Sequence, residues 1–157
     1  MVPVSFQIRD RGATPRGMKR VYNASSKESW AAAGLHFHSQ MSDDRFTHRH
    51  ATLAGFAART KAYTSRKLKK FGHTNPLEYS GRSRRLSRTA NITSTSKGAS
   101  VRYPGLNTLN FRNPKARVPI NMADEFRRVL PQEANDLAAV YDRSLDKLLN
   151  ADSRINP

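Results

Sequence analysis

The sequence contains no cysteine and no apolar run that approaches the roughly 20 residues needed to cross a bilayer. Disulfides, thiolate metal sites and cysteine nucleophiles are therefore excluded, and we expect no membrane contact. Acidic residues are also scarce, because 12 Asp and Glu stand against 28 Lys and Arg and give a formal net charge of +16. Such a charge attracts any polyanion, so DNA, RNA or an acidic protein surface is the expected partner.

Hydrophobic residues make up 37% of the 157-residue chain, whereas the globular average, which also counts glycine, is roughly 45–50%. The length suits one domain. Because so few apolar residues can fill only a small core, we expect part of the chain to order only against a partner.

The N-terminal part shows two kinds of periodicity. Alternate residues from Val2 to Ile8 are apolar, which predicts a short strand, and this stretch lacks the basic and long apolar regions of a signal peptide. Farther on, apolar residues recur at helical spacing after Ser25 and Ser26, either of which suits an N-cap. The predicted elements are a strand over 1–10, a basic loop over 11–20, a helix over 26–41, and a long loop or an excursion between helices over 42–58.

The middle of the chain carries turn signals between shorter elements. Gly72 after a basic stretch predicts the end of a helix, and Lys97-Gly98 between two Thr/Ser-rich runs predicts a hairpin. Pro131 suits the first position of a helix, and an amphipathic stripe follows it. The predicted elements are helices over 59–71, from Ser80 and over 131–149, strands over 89–96, 99–104 and 106–111, and a basic loop over 112–119.

These elements predict an α+β fold with a small antiparallel sheet flanked by helices, a long loop and an extended N-terminal arm. We divide the chain into an N-terminal strand and basic arm (1–25), a single α+β domain (26–150) and a C-terminal tail (151–157). The apolar stripe of the last helix is expected to pack on the sheet or on the helix of Trp30, through Leu137, Tyr141, Leu145 and Leu148.

No motif indicates an enzyme. The sequence has no nucleotide-binding glycine loop and no nucleophile elbow. His36 and His38 would point about 200° apart on a helix, so they cannot both face one metal ion. We therefore expect no catalytic centre, no metal site and no cofactor.

Charge is unevenly distributed along the chain. Residues 59–88 contain ten Lys and Arg but one acid, whereas residues 122–157 contain seven acids and five bases. The predicted basic corner faces either a neighbouring subunit or DNA, and the predicted acidic partner face would receive it on the next copy. The corner comprises Arg66, Lys67, Lys69, Lys70, Arg82, Arg84, Arg85 and Arg88, and the acidic face comprises Glu133, Asp136, Asp142 and Asp146.

The segment 45–88 resembles the phage virion morphogenesis family, the tail-completion and neck proteins of tailed bacteriophages. The matching features are an Arg-Phe pair, an aromatic residue followed by lysine in a helix, a glycine turn with Pro-Leu, and a Ser-Gly helix start. The segment 125–149 is similar to the closing helix of that family. In this sequence the features are Arg45-Phe46, Tyr63 to Lys67, Lys70 to His73 with Pro76-Leu77, and Ser80-Gly81.

The resemblance implies a structural protein of the virion neck or tail that is assembled in the host cytoplasm. It also implies a homo-oligomeric ring, sixfold or twelvefold, between portal or adaptor proteins and tail-terminator or tail-tube proteins, with non-specific contact to packaged DNA. The alternative that the charge leaves open is a basic RNA- or DNA-binding protein of ribosomal or nucleoid type.

Overall fold

The computed structural model describes residues 15–115 and 119–152, and the predicted N-terminal strand lies outside them. Helices dominate, and the strands form two separate antiparallel pairs. The helices are α1 (Pro15–His36), α2 (His48–Leu53), α3 (Lys61–Phe71), α4 (Arg82–Leu86), α5 (Met122–Arg127) and α6 (Pro131–Ala151); Phe37–Met41 is a π-helical turn, and Asp43–Phe46 and Leu106–Asn110 are 3₁₀ helices. The strands are β1 (Asn91–Thr95), β2 (Gly98–Arg102), β3 (Arg112–Asn113) and β4 (Ile120–Asn121).

Helix α1 packs against both the β1–β2 hairpin and α6. Its buried side includes small residues, which let both neighbours approach closely. At Gly34, an added Cβ would lie 2.9 Å from Ile92 Cγ2 of β1. On the other neighbour, Ser26 Oγ lies 2.9 Å from Tyr141 Oη of α6 while donating to the carbonyl of Ser96 at 2.8 Å. The hairpin and α6 are thus joined through α1.

A compact apolar core lies next to this layer. Phe46, Leu77, Leu109 and Phe126 form it, and Phe46 and Phe126 pack ring to ring with centroids 5.9 Å apart. These residues come from four separate stretches of the chain. Because burial of each side chain stabilises the fold by roughly 1.5–3 kcal/mol, this small group fixes how the loops and short helices meet.

The expected α+β class, with a small antiparallel sheet flanked by helices, is confirmed. The hairpin forms as predicted, with Ile92 opposite Val101. Helix α3 ends as predicted at Gly72, whose φ of 73° is one that glycine adopts without strain. Helix α6 begins at Pro131 and packs on the helix of Trp30, with the Trp30 and Tyr141 rings 4.6 Å apart.

One prediction about the N-terminal half is wrong, and the structure makes another more precise. Helix α1 begins at Pro15, so it crosses the predicted boundary at residue 25 and replaces the predicted loop from residue 15 onward. The predicted loop over 42–58 contains α2 and a 3₁₀ helix. Thr47 starts α2 because its side-chain oxygen accepts a hydrogen bond from the His50 N–H at 3.2 Å.

One prediction about the second half is also wrong. The predicted strand over 106–111 is a 3₁₀ helix, in which Leu106 and Leu109 lie three residues apart and both reach the core. At the start of the predicted loop over 112–119, Arg112 and Asn113 form β3, which pairs with β4. The sequence also missed α5, whose first turn is capped by the Asn121 side chain.

Candidate assembly surface

The basic corner is built from α3, α4 and the turn between them. Thr60 caps α3 by accepting a hydrogen bond from the Tyr63 N–H at 3.3 Å. In the turn, Leu77 has a φ of 55° and only 2% of its surface exposed. Because this backbone conformation is unfavourable for leucine, core packing of its side chain holds the turn and so fixes α4 relative to α3.

The inner side of the corner holds Lys67 and Glu78. Lys67 is 2% exposed and its Nζ donates a hydrogen bond to the carbonyl of Asn75, while Asn75 Nδ2 donates to Glu78 Oε2 at 3.2 Å. Burial lowers the pKa of Lys67, and the charge of Glu78 opposes that change. The prediction that Lys67 faces a partner is therefore wrong, because it supports the turn from inside.

Arg84 is also engaged within the chain. Its guanidinium donates to both carboxylate oxygens of Asp43, with Nε and Oδ1 2.7 Å apart. The hydrogen bond from Arg84 lowers the pKa of Asp43. This pair ties α4 to the 3₁₀ helix of Asp43, so Arg84 does not belong to the free cations of the corner.

Six predicted corner residues remain exposed and form no close ion pair with a carboxylate among residues 15–115 and 119–152. Three lie on α3 and three lie on or beside α4. Glu78, the single acid of residues 59–88, is buried between the two helices and leaves the outer charge uncompensated. The six are Arg66, Lys69, Lys70, Arg82, Arg85 and Arg88.

Three aromatic rings form a cluster beside these cations. Tyr63 and Tyr79 are stacked with centroids 6.0 Å apart, and Phe71 meets Tyr79 edge to face at 4.7 Å. Lys70 Nζ lies 5.4 Å from the centre of the Phe71 ring. Tyr79 is 39% exposed, so one ring of the cluster is open to a partner.

Glu133, the first residue of the predicted acidic face, is bound within its own chain. Glu133 forms two hydrogen bonds with Arg45, at 2.6 and 2.9 Å, and accepts a third from the Leu130 N–H at 2.8 Å. The prediction that Glu133 pairs with a neighbouring subunit is therefore wrong. Asp136, Asp142 and Asp146 remain exposed on α6.

Arg45 is fully buried, and the sequence did not predict this burial. Its Nη1 also donates to the Met41 carbonyl at 2.6 Å, and its guanidinium lies 4.6 Å from the centre of the Phe37 ring. Burial opposes ionisation of Glu133, but the hydrogen bonds from Arg45 and Leu130 outweigh it and lower the pKa. The one signal in the sequence was the Arg45-Phe46 pair itself, whose members are both buried.

His50 lies next to this ion pair, with its Nδ1 3.7 Å from Glu133 Oε1. Burial and the charge of Arg45 lower the pKa of His50, although Glu133 opposes them. The neutral imidazole is therefore the form that suits this site. His38 instead packs near Tyr103, with ring centres 5.6 Å apart, and His36 lines a groove shared with His50.

The apolar stripe of helix α6 is incompletely buried by the rest of the chain. The predicted contact residues Leu137, Tyr141, Leu145 and Leu148 are only half-buried, and no residue of the helix is fully buried. Large apolar side chains are exposed elsewhere too. They are Tyr22, Leu35, Leu53, Leu68, Phe111 and Val129.

A groove of about 750 Å³ runs between α1, β2, α5 and α6. Trp30 and Phe37 of α1 line one side, and Leu137 of α6 contributes to it as well. Residues of β2 line it too, and the lining is mixed, because Arg102, Asn107 and Arg127 lie among the apolar side chains.

Within the described parts of the chain, no three His, Asp or Glu side chains cluster closely enough to hold a metal ion. None of the helices described there has the length and apolar character needed to cross a membrane. No protein-family model, curated protein or solved structure matches the chain.

Proposed function

We propose that the chain is a structural virion protein of a tailed bacteriophage, which forms a homo-oligomeric ring at the head–tail junction and joins head-side to tail-side components. The proposal starts from the resemblance of residues 45–88 and 125–149 to the virion morphogenesis family. It places the protein in the neck or tail, after assembly in the host cytoplasm, and assigns it no catalytic step.

The observation that carries the proposal is the incomplete burial of α6. A helix with a long apolar stripe normally buries that stripe in a monomer, but α6 has no fully buried residue. Exposed apolar patches mark surfaces that bind other proteins. A subunit whose last helix is completed by the next copy explains both the low apolar content and the exposed side chains.

Charge supports the same assembly. The six outer cations of the corner have exposed counterparts in Asp136, Asp142 and Asp146 of α6. Each subunit thus carries a positive surface and a separate negative surface. Such a pair favours head-to-tail contacts that close into a ring. The remaining positive charge suits non-specific contact with DNA in the channel.

The aromatic cluster favours a second candidate function, that of a basic RNA- or DNA-binding protein. Tyr79 is partly exposed and contacts Phe71, whose ring lies 5.4 Å from Lys70 Nζ. Proteins commonly bind single strands by stacking bases on aromatic rings that lie beside cations. In this candidate the corner contacts phosphates and the chain needs no ring.

Light scattering coupled to size exclusion, in high salt and with or without nucleic acid, separates the two functions. The neck proposal predicts particles of several copies without nucleic acid, because apolar contacts persist when salt screens the charges. A monomer that enters larger complexes only when RNA or DNA is added would reject the ring and support the second candidate.

A further inference from the structure

Helix α1 carries a second group of cations, separate from the basic corner. Arg16, Lys19, Arg20 and Lys27 are exposed, and none of them forms a close ion pair with a carboxylate in the described ranges 15–115 and 119–152. Residues 15–27 include no Asp or Glu. The positive charge of this half of α1 is therefore not balanced by its own residues.

These cations lie on one side of the helix. Because each residue turns an α-helix by about 100°, the four cations and Asn23 fall within a sector of about 100°. The buried residues of the same half, among them Val21 and Ser25, lie on the other side of the helix, where α1 packs against the hairpin and α6. We call the exposed sector the α1 basic stripe, and it comprises Arg16, Lys19, Arg20, Asn23 and Lys27.

The turn of the β1–β2 hairpin extends this stripe. Ser26 Oγ donates a hydrogen bond to the carbonyl of Ser96 at 2.8 Å, which places the turn beside the Lys27 end of the stripe. Lys97 follows Ser96 in the turn, is exposed, and forms no close ion pair within the described residues either. Two elements that pack on each other thus contribute cations to one surface.

The stripe does not serve the stability of the helix. Cations are unfavourable near the beginning of a helix, where the helix dipole is positive. Arg16, Lys19 and Arg20 nevertheless lie in the first two turns of α1, and its first turn contains no acid. Contacts within the described chain do not account for these charges, whereas an external anion would.

We propose that the α1 basic stripe and Lys97 bind the phosphate backbone of double-stranded DNA. From Arg16 to Lys27 the helix rises about 17 Å, the length along a duplex of about five phosphates of one strand. The Asn23 amide in the middle is a further donor of the kind that contacts phosphates.

The composition of the stripe favours duplex DNA over other anionic partners. It has no apolar or aromatic side chain, so it offers no ring on which bases of a single strand could stack and no apolar face for a membrane surface. The inference deepens the proposed function, on which it rests for the presence of DNA. It separates the surface that contacts DNA from the corner that joins subunits.

Duplex binding across a range of salt concentrations tests the stripe. Replacing Arg16, Lys19 and Arg20 with Gln should weaken binding of a short labelled duplex at least about tenfold and flatten the salt slope by roughly one unit per lost contact. The matched control replaces the exposed Lys61, Arg112 and Lys115 with Gln and changes the net charge equally. Equal losses in both variants would overturn the proposal, because net charge alone would then explain binding.

The melting temperature of the stripe variant shows whether its fold is intact. Neutral side chains suit the beginning of a helix better than cations do, so we expect this variant to melt no lower than the unchanged chain. A second measurement on anionic lipid vesicles distinguishes the partners. If the stripe variant loses vesicle binding but keeps duplex binding, the stripe meets a membrane surface and the proposal is wrong.

Photo-cross-linking locates the contact without removing a charge from the stripe. The sequence has no cysteine, so Asn23→Cys and Glu28→Cys chains can each carry a photoreactive group on the thiol. Both positions are exposed and point about 140° apart on α1. Strong cross-linking to the duplex from position 23 and weak cross-linking from position 28 supports the proposal, and equal yields contradict it.

The ring and the stripe fail in different ways. Light scattering measures the ring, and we expect the stripe variant to keep it while duplex binding falls. If the unchanged chain is a monomer at every concentration but cross-links to DNA through position 23, the ring fails and the stripe stands. If rings form and the stripe variant binds the duplex as tightly as the unchanged chain, the stripe fails and the ring stands.

Discussion

Arg45 and Glu133 are 88 residues apart in the sequence and form a buried, two-pronged ion pair. The pair connects the Arg-Phe segment to the first turn of α6, where Glu133 also binds the Leu130 N–H. The position of α6 therefore depends on a polar contact at its start as well as on its half-buried apolar stripe.

Replacing Glu133 with Ala should destabilise the fold strongly. The change leaves the Arg45 charge buried without a counterion, which typically costs about 3–5 kcal/mol. Urea unfolding measures the loss, with Asp142→Ala as the control because Asp142 is exposed on the same helix. Similar small effects for both variants would contradict the burial of Arg45.

Replacing His50 should remove a pH dependence of stability. Because the pKa of His50 is lowered by folding, the unfolded chain binds the proton more readily. The stability due to the neutral ring is therefore complete above the unfolded-state pKa of about 6.5 and is lost as pH falls toward the folded-state pKa. His50→Gln should flatten this slope in unfolding experiments, and His48→Gln, which changes an exposed ring, should leave it.

Replacing Leu77 with Ala tests the turn beneath the corner. Leu77 is 2% exposed and belongs to the core, so the change should cost about 2–5 kcal/mol. Leu68→Ala is the control, because Leu68 is 53% exposed and should change the free energy of unfolding by less than about 0.5 kcal/mol. Equal losses at both positions would mean that the turn is not held by the core.

In low salt, reversing Arg82, Arg85 and Arg88 to Glu should abolish the ring while single subunits stay folded, because like charges then face each other across the contact. We expect the three cations to pair with Asp136, Asp142 and Asp146 of a neighbour, so Lys at those positions should restore assembly. The control reverses the exposed Arg16, Lys19 and Arg20 and changes the net charge equally. Intact rings with weakened DNA binding after the first reversal would place the corner on DNA instead.

Changing Tyr79 to Ala separates phosphate contact from base stacking. If the corner only contacts phosphates, Arg66→Glu with Lys70→Glu should weaken single-strand binding and flatten its salt slope by roughly one unit per lost contact. Tyr79→Ala should then have little effect. A loss of about 1–3 kcal/mol in binding free energy for Tyr79→Ala would instead indicate stacking and favour the nucleic-acid-binding candidate.

The sequence by itself determined the elements whose signals are local. Lys97-Gly98 predicted the hairpin, Gly72 predicted the end of α3, and Pro131 predicted the start of α6. Each depends on conformational preferences of a few neighbouring residues, so no distant contact is needed to recognise them. The start of α1 was missed because Ser25 and Ser26, which suit an N-cap, instead lie inside the helix on its buried side.

Tertiary structure alone decided which charges are available to a partner. Lys67, Arg84 and Glu133 looked like their neighbours in the sequence, yet each has a partner inside the chain. The Arg84–Asp43 pair spans 41 residues, and the Arg45–Glu133 pair spans 88. Local spacing cannot encode such pairs, because they form only when packing of the core brings separate elements within hydrogen-bond distance.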